Sequence, residues 1–340
     1  MPYPAAPSGT GRGLPRARQG HGVGMTTRIG LVGAGFIAGR HLDALTSVDG
    51  VTVAGIADPR VDRAEVLAAR AGAAAYAHWA DLLDVERLDA LWVCVPPHAH
   101  GAVEEAAIER GLPLFVEKPL ATDVGTAEAL AGRIDAAGLL TAVGYHWRYL
   151  DTLETARELL AGAPARMVLG AWLDRAPRVE WWARQDGSGG QTVEQATHLF
   201  DVARVLVGEV AGGWATGSRS AEGPGDVLDV CTAALRFATG AVGSFANTCL
   251  LPRGGRIGVE LVAPGLGLWL TEHRLVVSDA DGERTIDREV DPFEVEDRAF
   301  VAAVRGEGDD VRAPYAEALR THRLAVAVAT AAADGGTVQL

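Results

Sequence analysis

The sequence predicts an α/β protein in two parts: a doubly wound parallel sheet first, then an α+β part whose open sheet is largely antiparallel. Three observations carry this. From Arg28 onward, apolar strand-like runs alternate with helical patterns, which requires crossover connections and a parallel sheet. A glycine-rich turn, Gly33-Ala34-Gly35-Phe36-Ile37-Ala38, follows the first run directly. After Gly144 the alternation fades and strand-like runs succeed one another.

Taken in order, the first part reads as strands at 28–33, 51–57, 90–95, 113–117 and 140–144, with helices at 36–46, 60–71, 99–110 and 123–137. Right-handed crossovers place the ligand beyond the carboxyl ends of such strands. The strand Arg28-Ile29-Gly30-Leu31-Val32 leads into Gly33-x-Gly35-x-x-Ala38 and then a helix, the setting that a dinucleotide fingerprint requires. Gly33 allows the tight turn, and Gly35 lets backbone approach a pyrophosphate. Ala38 lets helix and strand pack closely, and amides near Phe36 and Ile37 face the phosphates. This identifies residues 25–145 as a Rossmann domain.

The next strand ends at Asp58, 23 residues beyond Gly35. A carboxylate there suits a ribose 2′-hydroxyl and repels a 2′-phosphate, which favours NAD; Arg60 nearby keeps NADP open. The alternative reading of Asp58 is a cap for the helix behind Pro59. The strand at 90–95 runs into Pro96-Pro97-His98-Ala99-His100, a stiff turn at the ligand edge of the sheet. Pro96 and His100 are candidate cofactor contacts; with no carboxylate or thiolate partner close in sequence, His98 and His100 are not read as metal ligands, and no metal is expected.

The apolar strand Pro113-Leu114-Phe115-Val116 turns polar at Glu117-Lys118 before Pro119. Neighbouring strand residues point to opposite faces, which disfavours a simple Glu117–Lys118 ion pair. On these residues, together with Gly33 to Ala38 and the run Gly189-Gly190-Gln191-Thr192-Val193-Glu194-Gln195-Ala196-Thr197-His198-Leu199-Phe200-Asp201, the chain resembles the Gfo/Idh/MocA family, the glucose-fructose oxidoreductase and inositol dehydrogenase group. The resemblance extends over about residues 27 to 330. It implies that Lys118 hydrogen-bonds the reacting hydroxyl, that Glu117 lies near the cofactor ribose, and that Glu194 and His198 enter the substrate site. The family more often has aspartate where this chain has Glu194. One added methylene moves a carboxylate by about an ångström, enough to change substrate choice.

Glu194 and His198, spaced i, i+4, are expected on one helical face, with Asp201 also on its polar side. Oxidation of a secondary alcohol sends hydride to a nicotinamide and needs a base for the hydroxyl proton. Imidazole, with a reference pKa of about 6.5, suits that task, so His198 is expected as base in oxidation and acid in reduction. Lys118, normally charged, is expected to stabilise developing alkoxide or polarise a carbonyl.

Beyond residue 145 strands are expected at 166–173, 212–219, 228–237, 241–248, 256–263 and 266–277, then a closing helix from Pro314 to about Ala332 that packs back on the first domain. Six of the eight tryptophans fall here, and flat aromatic faces suit the C–H faces of a sugar or cyclitol, with Trp181 the candidate contact. Tyr145-His146-Trp147-Arg148 follows the last strand of the first domain. In the family this segment borders the substrate cleft, often with asparagine in place of His146. Tyr145 is therefore a candidate contact, while Arg148 would bind a carboxylated substrate or brace the domain interface.

Composition narrows the setting. At 340 residues two domains are expected, and a net charge of −13 argues against a nucleic-acid partner. Cys94, Cys231 and Cys249 are too few and scattered for a disulfide framework, which suits a cytoplasmic protein. No apolar run approaches the roughly 18 residues of a membrane span. Residues 1–24 read as a disordered leader without a secretory signal, with Met25 as an alternative start. The expected function is an NAD(P)-dependent dehydrogenase or reductase acting on a sugar, sugar derivative or cyclic polyol, as a homodimer or homotetramer. Two alternatives stay open: a glycosidase that uses NAD transiently, and a regulatory protein that binds NAD or sugar without catalysis.

Overall fold

In the computed structural model, residues 26–340 are described; the leader and the Met25 start lie outside them. The first part opens β1 (Thr27–Val32), α1 (Phe36–Thr46), β2 (Val51–Ala57), α2 (Val61–Ala71), β3 (Ala74–Tyr76), α3 (Trp79–Val85) and β4 (Ala90–Val93). It continues through α4 (Ala102–Glu109), β5 (Leu114–Val116), α5 (Val124–Ala137) and β6 (Thr141–Val143). The strands form one parallel sheet in the order β3-β2-β1-β4-β5-β6. The order reverses between β1 and β4, where the doubly wound fold opens its crevice. Alternation of apolar runs located every strand of this sheet except β3, which is only three residues long and half exposed.

The second part runs α6 (Asp151–Gly162), β7 (Met167–Leu173), the short α7 (Gln185–Ser188) and α8 (Gln191–Glu194), α9 (Thr197–Val207), β8 (Val210–Ser218), β9 (Val230–Phe237) and β10 (Val242–Thr248). Then come β11 (Ile257–Ala263), β12 (Leu266–Leu270), β13 (Arg274–Asp279), β14 (Gly282–Asp287), α10 (Pro292–Arg305), α11 (Tyr315–Asp334) and β15 (Gly336–Val338). Nine strands form a second sheet in the order β14-β13-β12-β11-β7-β10-β9-β8-β15, antiparallel except for the β7–β10 pair. The run read as one strand at 266–277 is a hairpin, β12 and β13, turning at Thr271 to His273.

One face of this sheet is sealed by α6, α9 and α11 through Leu153, Leu199, Val202, Leu324 and Val328, against Val168, Leu235, Phe245 and Leu261. Strand β9 alternates buried and exposed residues along its length, as a strand with one covered face must. The two parts are stitched by helices whose cores they share. In α11, Tyr315, Ala318 and Leu319 join the core of the parallel sheet and Leu324 and Val328 that of the second sheet. The packing-back expected of α11 is shared by α10, whose Phe300 and Val301 sit with Leu42, Trp92 and Phe115. Phe300 meets Trp92 edge-on at 5.2 Å, and Trp92 stacks on Phe115 at 5.4 Å.

Candidate active site

The glycine turn is built by sterics. Gly33 has φ +98°, and a Cβ there would lie 2.2 Å from the Cys94 carbonyl oxygen at the end of β4. Gly35 holds the N-cap of α1 without any side-chain cap, and a Cβ on it would meet nothing within 4 Å. The first amides of α1 thus face open space, and Phe36 beside them is 87% exposed. Asp58 accepts the Ala34 N–H at 2.8 Å and the Arg60 N–H at 2.8 Å. It therefore ties β2 to the glycine turn; the N-cap of α2 is Arg60, whose guanidinium turns away to Asp62. Uncapped amides, a crowded glycine and an acid at the end of β2 fit a dinucleotide.

The cleft has a volume of about 430 Å³ and is lined by Gly33, Gly35, Phe36, Ile37, Asp58 and Pro96 on the glycine-turn side, and by Glu117, Lys118, Trp181 and Glu194. Arg63 also lines it, a cation that the sequence pattern did not single out. The strand-end motif delivers Lys118 from β5, and the Lys118–Pro119 peptide is cis. The Lys118 ammonium donates to the Glu194 carbonyl at 2.9 Å and to Glu194 Oε1 at 3.0 Å, both side chains keeping about 15% exposure. Burial disfavours its charge, but Glu194 and Glu117 outweigh burial and raise its pKa above the ordinary lysine value. Glu194 Oε2 accepts from Trp182 Nε1 at 2.8 Å. Trp182 is fully buried and was not singled out, because adjacent tryptophans in a sequence give no sign of which turns inward.

Glu194 and His198 do not share one continuous helix. Glu194 ends α8, Gln195 and Ala196 form a turn, with Gln195 distorted to φ −110°, ψ −54°, and His198 lies in the first turn of α9. The break lets Glu194 present its carbonyl as well as its carboxylate to Lys118. His198 is 3% exposed, its Nδ1 has no hydrogen-bond partner, and its ring lies between the edges of Tyr145 at 5.8 Å and His146 at 4.9 Å and near-parallel rings of Trp147 and Trp172 at 6.0 Å. Burial, then the Lys118 ammonium, then His146, push its pKa well below 6.5. The imidazole is neutral at neutral pH, and the cation that depresses it is Lys118.

His198 does not itself line the cleft, and three further expected contacts face elsewhere. Arg148 is committed to Asp201 through Nε at 2.8 Å and Nη2 at 2.6 Å, and to the Arg312 carbonyl at 2.7 Å, so it braces the segment after β6 against α9 and the approach to α11 and has no free edge for a substrate carboxylate. Asp201, buried beneath it, also accepts from Thr321 at 2.6 Å, which ties α9 to α11. Tyr145 is fully buried, its hydroxyl paired with Thr197 at 2.8 Å, so it supports His198 from behind instead of meeting substrate. His100 is buried on Glu104 in the first turn of α4, away from the cleft lining, and His98 contacts the Gly187 carbonyl at 3.1 Å. No helix among the described residues is long and apolar enough to cross a membrane.

The chain is similar to known oxidoreductases. Residues 27–145 match the oxidoreductase family with NAD-binding Rossmann fold, and residues 158–263 match the GFO/IDH/MocA C-terminal domain. The chain is 27% identical to the myo-inositol 2-dehydrogenase of Thermotoga maritima, over 65% of this chain and 68% of that protein. It is 27% identical to the scyllo-inositol 2-dehydrogenase (NAD(+)) of Bacillus subtilis, over 69% and 71%. Among solved structures, levoglucosan dehydrogenase in complex with NADH and levoglucosan superposes with a TM-score of 0.83 at 23% identity, covering 92% of this chain and 99% of that one, a likeness of fold.

Proposed function

The chain belongs to the Gfo/Idh/MocA oxidoreductase family, and on that premise we propose that it is an NAD-dependent dehydrogenase acting on a secondary alcohol of a sugar, sugar derivative or cyclic polyol. One observation carries the proposal: a charged lysine, paired with a carboxylate and set near a neutral buried imidazole, lines the same cleft as the glycine turn. Relatives named as inositol dehydrogenases support the substrate class.

The nicotinamide, when bound, supplies the hydride acceptor. Lys118 donates hydrogen bonds toward the substrate oxygen and favours the negative charge that grows there as the hydroxyl proton leaves. Glu194, itself held by the Trp182 indole, fixes the ammonium so that little reorganisation is needed. His198, uncharged and shielded from water, accepts the proton. An imidazolium beside Lys118 is unfavourable, so protonation of His198 is coupled to the appearance of alkoxide charge between the two groups. Asp58, with Arg60 turned to Asp62, supports a ribose 2′-hydroxyl over a 2′-phosphate.

The uncovered face of the second sheet exposes Met167, Leu169, Trp214, Val242 and Val262, which suits pairing with another copy of the chain. Light scattering above monomer mass is expected. The buried, unpaired Cys94, Cys231 and Cys249 fit a reducing cytoplasm.

Purified protein offered NAD+ or NADP+ with a panel of inositols, aldoses and anhydrosugars is expected to form reduced nicotinamide with at least one alcohol, and faster with NAD+. Tight NAD+ binding without turnover on any alcohol, together with cleavage of a glycoside, would replace this reading with the glycosidase one.

A further inference from the structure

Behind Lys118, reached from the cleft through Glu117, lies a cluster of titratable groups that the chemistry above does not use. His41 of α1 is fully buried, with Nδ1 3.0 Å from both carboxylate oxygens of Asp297 and Nε2 3.0 Å from Glu117 Oε1. Asp297, on α10, is also held by Trp92 Nε1 at 2.8 Å. Glu117 takes the remaining step: its Oε2 accepts the Lys118 backbone N–H at 3.0 Å. Its carboxylate occupies the space left by Gly144, where a Cβ would stand 2.3 Å from Oε1.

We infer that His41 is a positioning residue for Lys118, acting as a buried imidazolium that clamps Glu117 between α10 and the end of β5. The inference rests on the assignment of Lys118 to the chemistry proposed above. Both ring nitrogens meet carboxylates, so the ring donates on both sides only when it carries two protons. The groups facing it are Asp297 and Glu296 from α10, Glu117 beyond β5 and the Cys94 thiol beyond β4, with no cation among the groups that shift its pKa. Burial opposes the charge, yet Asp297 and Glu117 outweigh it and hold the pKa well above 6.5. A purely packed histidine would need neither acid. The clamp also gives α10, which belongs to the second part of the chain, a hand in directing a residue of the first.

The geometry separates the two ring nitrogens, and so does mutagenesis. Glutamine can replace the Nε2 donor toward Glu117, whereas asparagine can replace only the Nδ1 donor toward Asp297. His41→Asn is expected to lower kcat about 100-fold, the scale at which small misplacement of a reacting group is felt, and His41→Gln to lower it about 10-fold or less. The two variants should melt alike and bind NAD+ alike. Nitrogen NMR of the cofactor-free wild type should show His41 as an imidazolium at pH 8. Equal kcat for the two variants, a neutral ring at pH 8, or one tightly bound metal ion per chain among His41, Glu117 and Glu296 would overturn the inference. Should the His41 variants fail to fold, Asp297→Asn carries the same test: kcat falls about 10-fold with NAD+ affinity unchanged, and an unchanged kcat rejects the clamp. Lys118→Ala separates the levels. If it keeps full activity, the assignment of Lys118 is at fault; if it is inactive while the His41 variants match each other, only the clamp is.

Discussion

Lys118 Nζ lies 3.0 Å from Glu194 Oε1 and 2.9 Å from the Glu194 carbonyl, joining the end of β5 to the end of α8 across the cleft. The bond brings together residues 76 positions apart, from the two parts of the chain. Its outer support is the Trp182 indole on Glu194 Oε2. Trp182→Phe keeps the ring and deletes the donor, a hydrogen bond to a charged group worth about 1.5–3 kcal/mol. Steady-state kinetics should give a kcat/KM at least about 10-fold lower, with NAD+ affinity and melting temperature little changed.

The depressed pKa of His198 fixes the pH profile. The free enzyme needs a neutral imidazole, so kcat/KM for oxidation should be flat through neutral pH and turn down only below 6.5, toward the folded pKa of His198. Lys118, raised above 10.5, keeps its charge across the same plateau. Between the folded pKa of His198 and 6.5 the unfolded chain binds a proton that the folded chain refuses, so stability falls with falling pH there. His198→Gln should abolish oxidation and should also remove its share of the stability slope. A downturn centred above pH 7 would exclude His198 as the base.

Arg148 is predicted to matter for stability and not for substrate. It is 7% exposed beside Asp201 at 1%. Arg148→Met strands the Asp201 carboxylate, and loss of one partner of a buried pair costs about 3–5 kcal/mol. Chemical denaturation should report that loss, while KM for the alcohol in folded protein stays within a factor of about 2, far less than loss of a charged substrate contact would produce.

Glu296 is buried with neither carboxylate oxygen hydrogen-bonded. Burial first, with Asp297 and Glu117 adding to it against His41, drives its pKa well above 4.5, so the folded protein keeps a proton that the unfolded chain releases. Stability therefore declines as pH rises from 4.5 toward the folded pKa. Glu296→Gln keeps the shape without the proton to lose, and scanning calorimetry at pH 8 should find it more stable than wild type, with the difference shrinking as pH falls toward 4.5.

The parallel sheet and its turn were legible because their signals are local: Gly33 and Gly35 follow an apolar strand, and Asp58 closes the next one. Lys118, Glu194 and His198 were singled out from motifs shared with a family; the structure pairs the first two, and the helix expected to join the last two is broken after Glu194, a kink that no proline or glycine announces. What was not legible depends on distance. Asp297 lies 256 residues from His41, and α10 was unassigned because half of its length is polar where it meets the buried cluster. Arg148 had two readings from sequence, and only the position of Asp201 on the neighbouring helix decides between them.

If Lys118 carries the chemistry of alcohol oxidation in this cleft, its loss must slow the chemical step itself. A single-turnover measurement of reduced nicotinamide, with NAD+ and the best alcohol of the panel, compares wild type with Lys118→Ala at matched cofactor saturation. The variant should be slower by about 10²–10³-fold with cofactor affinity retained. Reduced nicotinamide formed at the wild-type rate would remove Lys118 from the chemistry.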